Sequence, residues 1–164
     1  MVIPSPQSVE SHFRAMNKTL QQIMLRSINI WPPFFGAGIR VTRRSPDMKI
    51  VDVEMKLHFF NRNYVGTHYG GSLYSMTDPF YMLMLMHNLG RDYIVWDKAA
   101  TIRFRKPGKG RVRAEFRLTD AQVNKVRQML TTQDKYEPVF LVEVKDETGD
   151  VVAQVHKVLH VRRR

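Results

Sequence analysis

Residues 72–89 read SLYSMTDPFYMLMLMHNL, a segment apolar on nearly every side. A helix with no polar stripe has to be buried all round, so this one demands a position where a sheet can wrap it. Pro79 removes a backbone donor inside the segment and is expected to bend it. The flanking sequence supplies strands. Val51, Val53, Met55, Leu57 and Phe59 alternate with Asp52, Glu54, Lys56 and His58, the period of a sheet with one buried face. Residues 39–44 precede them across a turn at Ser45, Pro46 and Asp47, which predicts a first hairpin. Residues 93–105 and 111–119, joined across Pro107, Gly108, Lys109 and Gly110, read as a second. Residues 136–145 and 151–162, around Gly149, read as a third. Thr119 or Asp120 caps a short helix carrying Val123, Val126 and Leu130. This order predicts an α+β fold, a largely antiparallel sheet of about six strands around a long central helix.

The chain has 164 residues, 43% of them hydrophobic, enough for one core, so residues 1–164 are expected to form a single domain. Val9, Phe13, Met16, Leu20 and Ile23 recur at steps of four and three, predicting an N-terminal amphipathic helix over about residues 8–28. No secretory signal or spanning segment is read, since the longest apolar run, residues 79–86, falls far short of the roughly 20 residues a membrane helix needs. A soluble, cytoplasmic protein is expected. The sequence contains no cysteine, which excludes disulfide frameworks, thiolate nucleophiles and cysteine-based zinc sites. His58, His87, His156 and His160 show no ligand-like convergence, so no metal site is expected.

Ahead of the apolar segment runs Asn63-Tyr64-Val65-Gly66-Thr67-His68-Tyr69-Gly70-Gly71, with Asp78 seven residues after the second glycine. This resembles the hotdog-fold acyl-CoA thioesterases, whose motif is Asn-x-x-Gly-x-x-His-Gly-Gly followed seven residues later by an acid in the central helix. Asn63, Gly66, Gly70, Gly71 and Asp78 match it. Residues 61–105 look closest to the branch of that superfamily called the domain of unknown function 4442 group. The resemblance implies a hotdog fold, sites built between subunits of a homodimer or dimer of dimers, and hydrolysis of an acyl thioester. Coenzyme A would enter as part of the substrate, with no separate cofactor. One position departs from the motif: Tyr69 stands at the family histidine, and His68 lies one residue early. Either His68 reaches the site through a backbone shift or Tyr69 offers its hydroxyl there.

The residues support that chemistry in their own right. Glycines at a helix start let a ligand approach unpaired N–H groups, so Gly70 and Gly71 could polarise a thioester carbonyl. Asp78, between Met76 and Phe80, would be a carboxylate in a largely apolar wall, suited to act as general base or nucleophile. Asn63 could position water or the carbonyl. The plainer alternative makes Asp78 and Pro79 an N-cap pair. Asp97 is a second candidate for substrate contact, in the strand where related thioesterases place a polar residue.

The formal net charge is +11. Arg103, Arg105, Arg111, Arg113 and Arg117 share one parity across the expected second hairpin, and like charges facing each other across strands are costly. An anionic partner such as the phosphates of coenzyme A would relieve that crowding. Nucleic acid is disfavoured, since no binding motif or interleaved aromatics accompany the arginines. Acyl-CoA binding or sensing without turnover is the alternative function, supported by the displaced histidine.

Overall fold

The structure, a computed structural model, describes residues 27–164. The N-terminal helix expected over residues 8–28 lies outside the described residues but for Ser27 and Ile28, the latter in a 3-10 turn, Ile28–Ile30. Helix α1 (Pro32–Ala37) starts on prolines and stops at Gly38, whose φ of 75° favours glycine. Strands β1 (Ile39–Arg44) and β2 (Ile50–Lys56) form the expected antiparallel hairpin. Two helices follow, α2 (Gly70–Ser75) and α3 (Phe80–Leu89), then β3 (Tyr93–Phe104) and β4 (Arg111–Arg117). Helix α4 (Asp120–Thr132) opens on a capping box between Thr119 and Gln122. Strands β5 (Lys135–Tyr136), β6 (Val139–Asp146) and β7 (Val151–Arg163) complete the chain.

All pairings among these strands are antiparallel, in the order β1-β2-β4-β6-β7-β3, with β5 also on β7. The sheet thus has seven strands where about six were expected; the extra one is the two-residue β5. Its inner face buries Val53, Met55, Ala114, Phe116, Val142, Val144 and Val155. Against that face lies α3, where Phe80 and Tyr81 meet Phe116, and Tyr81 stacks on Phe140 with centroids 4.4 Å apart. This is the hotdog arrangement.

The continuous helix expected over residues 72–89 is instead two helices separated by Met76, Thr77, Asp78 and Pro79. Pro79 occupies the N-cap position of α3 without side-chain capping, so Asp78 does not serve as the cap. The second expected hairpin is also corrected. Strand β3 lies at the sheet edge on β7, while β4 sits centrally between β2 and β6. Residues 105–110 cross over the start of β7, where Arg105 N–H donates to the Val152 carbonyl at 2.8 Å. Three strand spacings amount to about 14 Å and six extended residues reach about 20 Å, so a segment that reads as a tight turn suffices for the crossing.

Candidate active site

The break between α2 and α3 sets Asp78 against β7, where Lys157 points inward. Along that strand Val155, Leu159 and Val161 share its parity and are buried, and the Lys157 side chain is 0% exposed. Its Nζ donates to Asp78 Oδ1 at 2.7 Å and to the Tyr74 hydroxyl at 3.3 Å. The Tyr74 hydroxyl donates to the same Oδ1 at 2.8 Å. Asp97 Oδ1 lies 3.0 Å from Nζ but off the line of a hydrogen bond. A β-bulge between Asp97 and Ala99 shifts the register, pairing Asp97 with Leu159 and Ala100 with Lys157; bulges re-aim side chains in this way.

Four groups therefore converge: Asp78, Asp97, Lys157 and Tyr74. Burial pulls the Lys157 ammonium down, but the hydrogen bond to Asp78 and the negative charge of Asp97 outweigh it, leaving Lys157 above the ordinary lysine value. Burial pushes the Asp97 carboxyl up, against the opposing pull of Lys157. Burial, then the Asp78 bond, push the Tyr74 hydroxyl up as well. The apolar wall expected around Asp78 is not found, since a buried ammonium stands against it. With a side chain 44% exposed, Asp78 reaches solvent. Its Oδ1 is held twice, whereas Oδ2 has no hydrogen-bond partner among the described residues.

The loop residues lie apart from this cluster. Asn63 Oδ1 accepts from the N–H groups of Val65 and Thr67, and Nδ2 donates to Thr67 Oγ1 and the His68 carbonyl. Its amide is thus spent shaping the loop. His68 is buried, with Nε2 3.1 Å from the Gly110 carbonyl, and burial holds its imidazole below the ordinary histidine value. It ties the loop to the β3–β4 crossing. Tyr69 is exposed and leans over Gly71, where a Cβ would come within 2.4 Å of its ring. At the start of α2 the N–H groups of Gly70 and Gly71 have no backbone acceptor among the described residues. A groove of about 400 Å³ opens there, lined among others by Asn63, His68, Gly70, Phe104, Arg105 and Lys106.

The arginine stripe is not a cluster. Arg111 and Arg113 both bind Glu54 and Arg117 binds Asp52, acids of the neighbouring β2, and Arg117 also binds Glu115 on its own strand. Arg103 and Arg105 stand three strand spacings away, in and just after the edge strand β3, where Arg105 donates to Gln154 at 3.0 Å. Of the five, Arg105 alone lines the groove.

Lys157 was missed from the sequence although a signal exists: it is the one charged residue among 151, 153, 155, 157, 159 and 161, the buried parity of β7. Asp97 was found, but its meeting with Asp78 depends on the strand order.

No curated protein matches the chain. Among solved structures, PA5026 from Pseudomonas aeruginosa, described as a protein of unknown function and probable thioesterase, is 22% identical. It covers 99% of each chain, with a TM-score of 0.70. The thioesterase HI1161 from Haemophilus influenzae is 13% identical over 85% of this chain and 88% of its own, with a TM-score of 0.61. The E. coli PaaI protein from the phenylacetic acid degradation operon is 17% identical over 88% and 92%, with a TM-score of 0.59. These likenesses show the hotdog fold. The model of the domain of unknown function DUF4442 matches residues 18–161, and the chain belongs to that family.

Proposed function

We propose that the protein hydrolyses an acyl thioester, with acyl-CoA as the substrate class. The observation that carries this reading is Asp78, a solvent-reaching carboxylate gripped at one oxygen by a buried lysine and without a hydrogen-bond partner at the other among the described residues. Asp78 takes a proton from attacking water or attacks the thioester carbonyl itself. The Gly70 and Gly71 N–H groups stabilise the oxygen that becomes negative. Asn63 supports them by holding the loop. Tyr69 and His68 border the path to the glycines, and Arg105, with Arg103 beside it on the edge strand, meets the anionic end of the substrate. Coenzyme A is part of that substrate, and the cytoplasm is the proposed setting, on the sequence alone.

A homodimer completes the proposed site. At about 1.5 Å per helical residue, Asp78 lies roughly 10 Å from Gly71 along one chain, too far for both to touch one carbonyl. Two copies joined edge to edge bring the acid of one beside the glycines of the other. The β3 edge suits that union: Ala99, Ala100 and Thr101 are small and exposed, whereas β1 carries Arg40, Arg43 and Arg44. A dimer of dimers is the larger assembly proposed.

The buried His68 imidazole, its Nε2 occupied by the Gly110 carbonyl, favours a second reading, binding without turnover. Short, long and aromatic acyl-CoAs offered to the purified protein separate the two. Thioester cleavage on at least one supports hydrolysis. Calorimetric binding of a non-hydrolysable analogue with no cleavage across the panel supports the second reading and overturns the first.

A further inference from the structure

The hydrolase reading uses Asp78, but it leaves unexplained why a lysine with no exposed surface stands on the core face of β7. A buried ammonium is costly unless paired, and one carboxylate would suffice to pair it. Here two carboxylates from separate elements share it, Asp78 at 2.7 Å and Asp97 at 3.0 Å, with the Tyr74 hydroxyl at 3.3 Å. Lys157 Nζ also lies 5.2 Å from the Tyr74 ring centroid. These are the titratable groups facing Nζ from α2, the α2–α3 break and β3.

The arrangement is asymmetric in a way that matters for chemistry. Lys157 and Tyr74 both bond Oδ1 of Asp78, so the carboxylate can neither rotate freely nor present that oxygen outward. Oδ2 is the atom left for water or a carbonyl carbon. Because Lys157 is wholly buried, it acts through Asp78 and does not touch substrate.

Resting on the hydrolase reading, we propose that Lys157 is the positioning residue of this site, clamping Asp78 by Oδ1 so that Oδ2 alone meets the reacting atoms, while Asp97 competes with Asp78 for the same ammonium. The competition gives opposite signs to two substitutions. Removing Lys157 frees the Asp78 carboxylate and withdraws its counter-charge. Removing the charge of Asp97 leaves Lys157 wholly to Asp78.

The test combines steady-state kinetics of acyl-CoA hydrolysis with crystal structures of the wild type and the variants. In Lys157→Met, kcat falls by about 100-fold, the scale of a misplaced catalytic group, with KM unchanged. Lys157→Arg recovers part of that kcat. In Asp97→Asn, where the ammonium belongs wholly to Asp78, kcat is kept or rises. If Lys157→Met does not fold, Asp97→Asn and Lys157→Arg decide: a kcat that falls in Asp97→Asn and is untouched in Lys157→Arg overturns the proposal. A Lys157→Met enzyme with the wild-type kcat overturns it as well. If the wild type cleaves no thioester but the Asp78 carboxyl turns from its place in the Lys157→Met structure, the hydrolase reading fails and the clamp stands. If Asp78→Asn abolishes cleavage while the Lys157 and Asp97 variants leave kcat unchanged, the clamp fails and the reading stands.

Discussion

Asp78 was legible because its spacing from Gly71 is local in sequence, while Lys157 was hidden because its partners, Tyr74 and Asp78 in one stretch and Asp97 in another, are distant in sequence. A lysine in a strand ordinarily reads as solvated, and only the parity of β7 marks this one as inward. Asn63 was also legible as a motif residue, yet its role changed. A side chain expected to face substrate makes four hydrogen bonds inside its own loop. Asn63→Ala should therefore destabilise the fold by about 2 kcal/mol, since a net hydrogen bond contributes about 1 kcal/mol and some are replaced by water. Asn63→Asp keeps the two acceptor bonds and should lose less. Urea denaturation of both variants measures this, and an alanine variant as stable as the wild type contradicts the assigned role.

Among the elements, hairpin signals at β1–β2 and β6–β7 were read correctly because short turns enforce neighbouring strands. The segment Pro107-Gly108-Lys109-Gly110 carries the same turn chemistry but serves a crossing, and nothing local distinguishes the two uses. His68 fastens that crossing to the motif loop, and its burial sets a pH dependence. Its imidazole titrates below 6.5 in the folded protein, so below that pH the unfolded chain takes up a proton that the folded chain refuses. The contribution of His68 to stability is complete above about pH 6.5 and falls as the pH drops below it. Thermal melts at successive pH values should show this loss in the wild type and a flatter curve in His68→Gln. Equal slopes would contradict it. The α2–α3 break was half legible: Pro79 announced an interruption, but the direction in which Asp78 then points depends on the lysine it meets.

For the whole molecule, the net charge of +11 suggested a concentrated basic surface, and strand order dissolved it into cross-strand pairs around Glu54 and Asp52. The unguarded edge at β3 is the larger-scale feature that remains. An isologous pairing there sets each copy's central residues opposite those of its mate, so Ala99→Glu with Thr101→Glu should face like charges across the two-fold axis. Sedimentation velocity should show the wild type as a dimer or larger and the double variant shifted toward monomer, with activity falling in parallel. A wild-type monomer that cleaves thioesters would contradict the interfacial site. The carboxylate at the α2–α3 break carries the proposed chemistry. The most direct measurement is kcat on the best substrate of the acyl-CoA panel for the wild type and for Asp78→Asn. Loss of a general base or nucleophile predicts a fall of at least about 100-fold with the fold intact; equal rates would contradict the assignment.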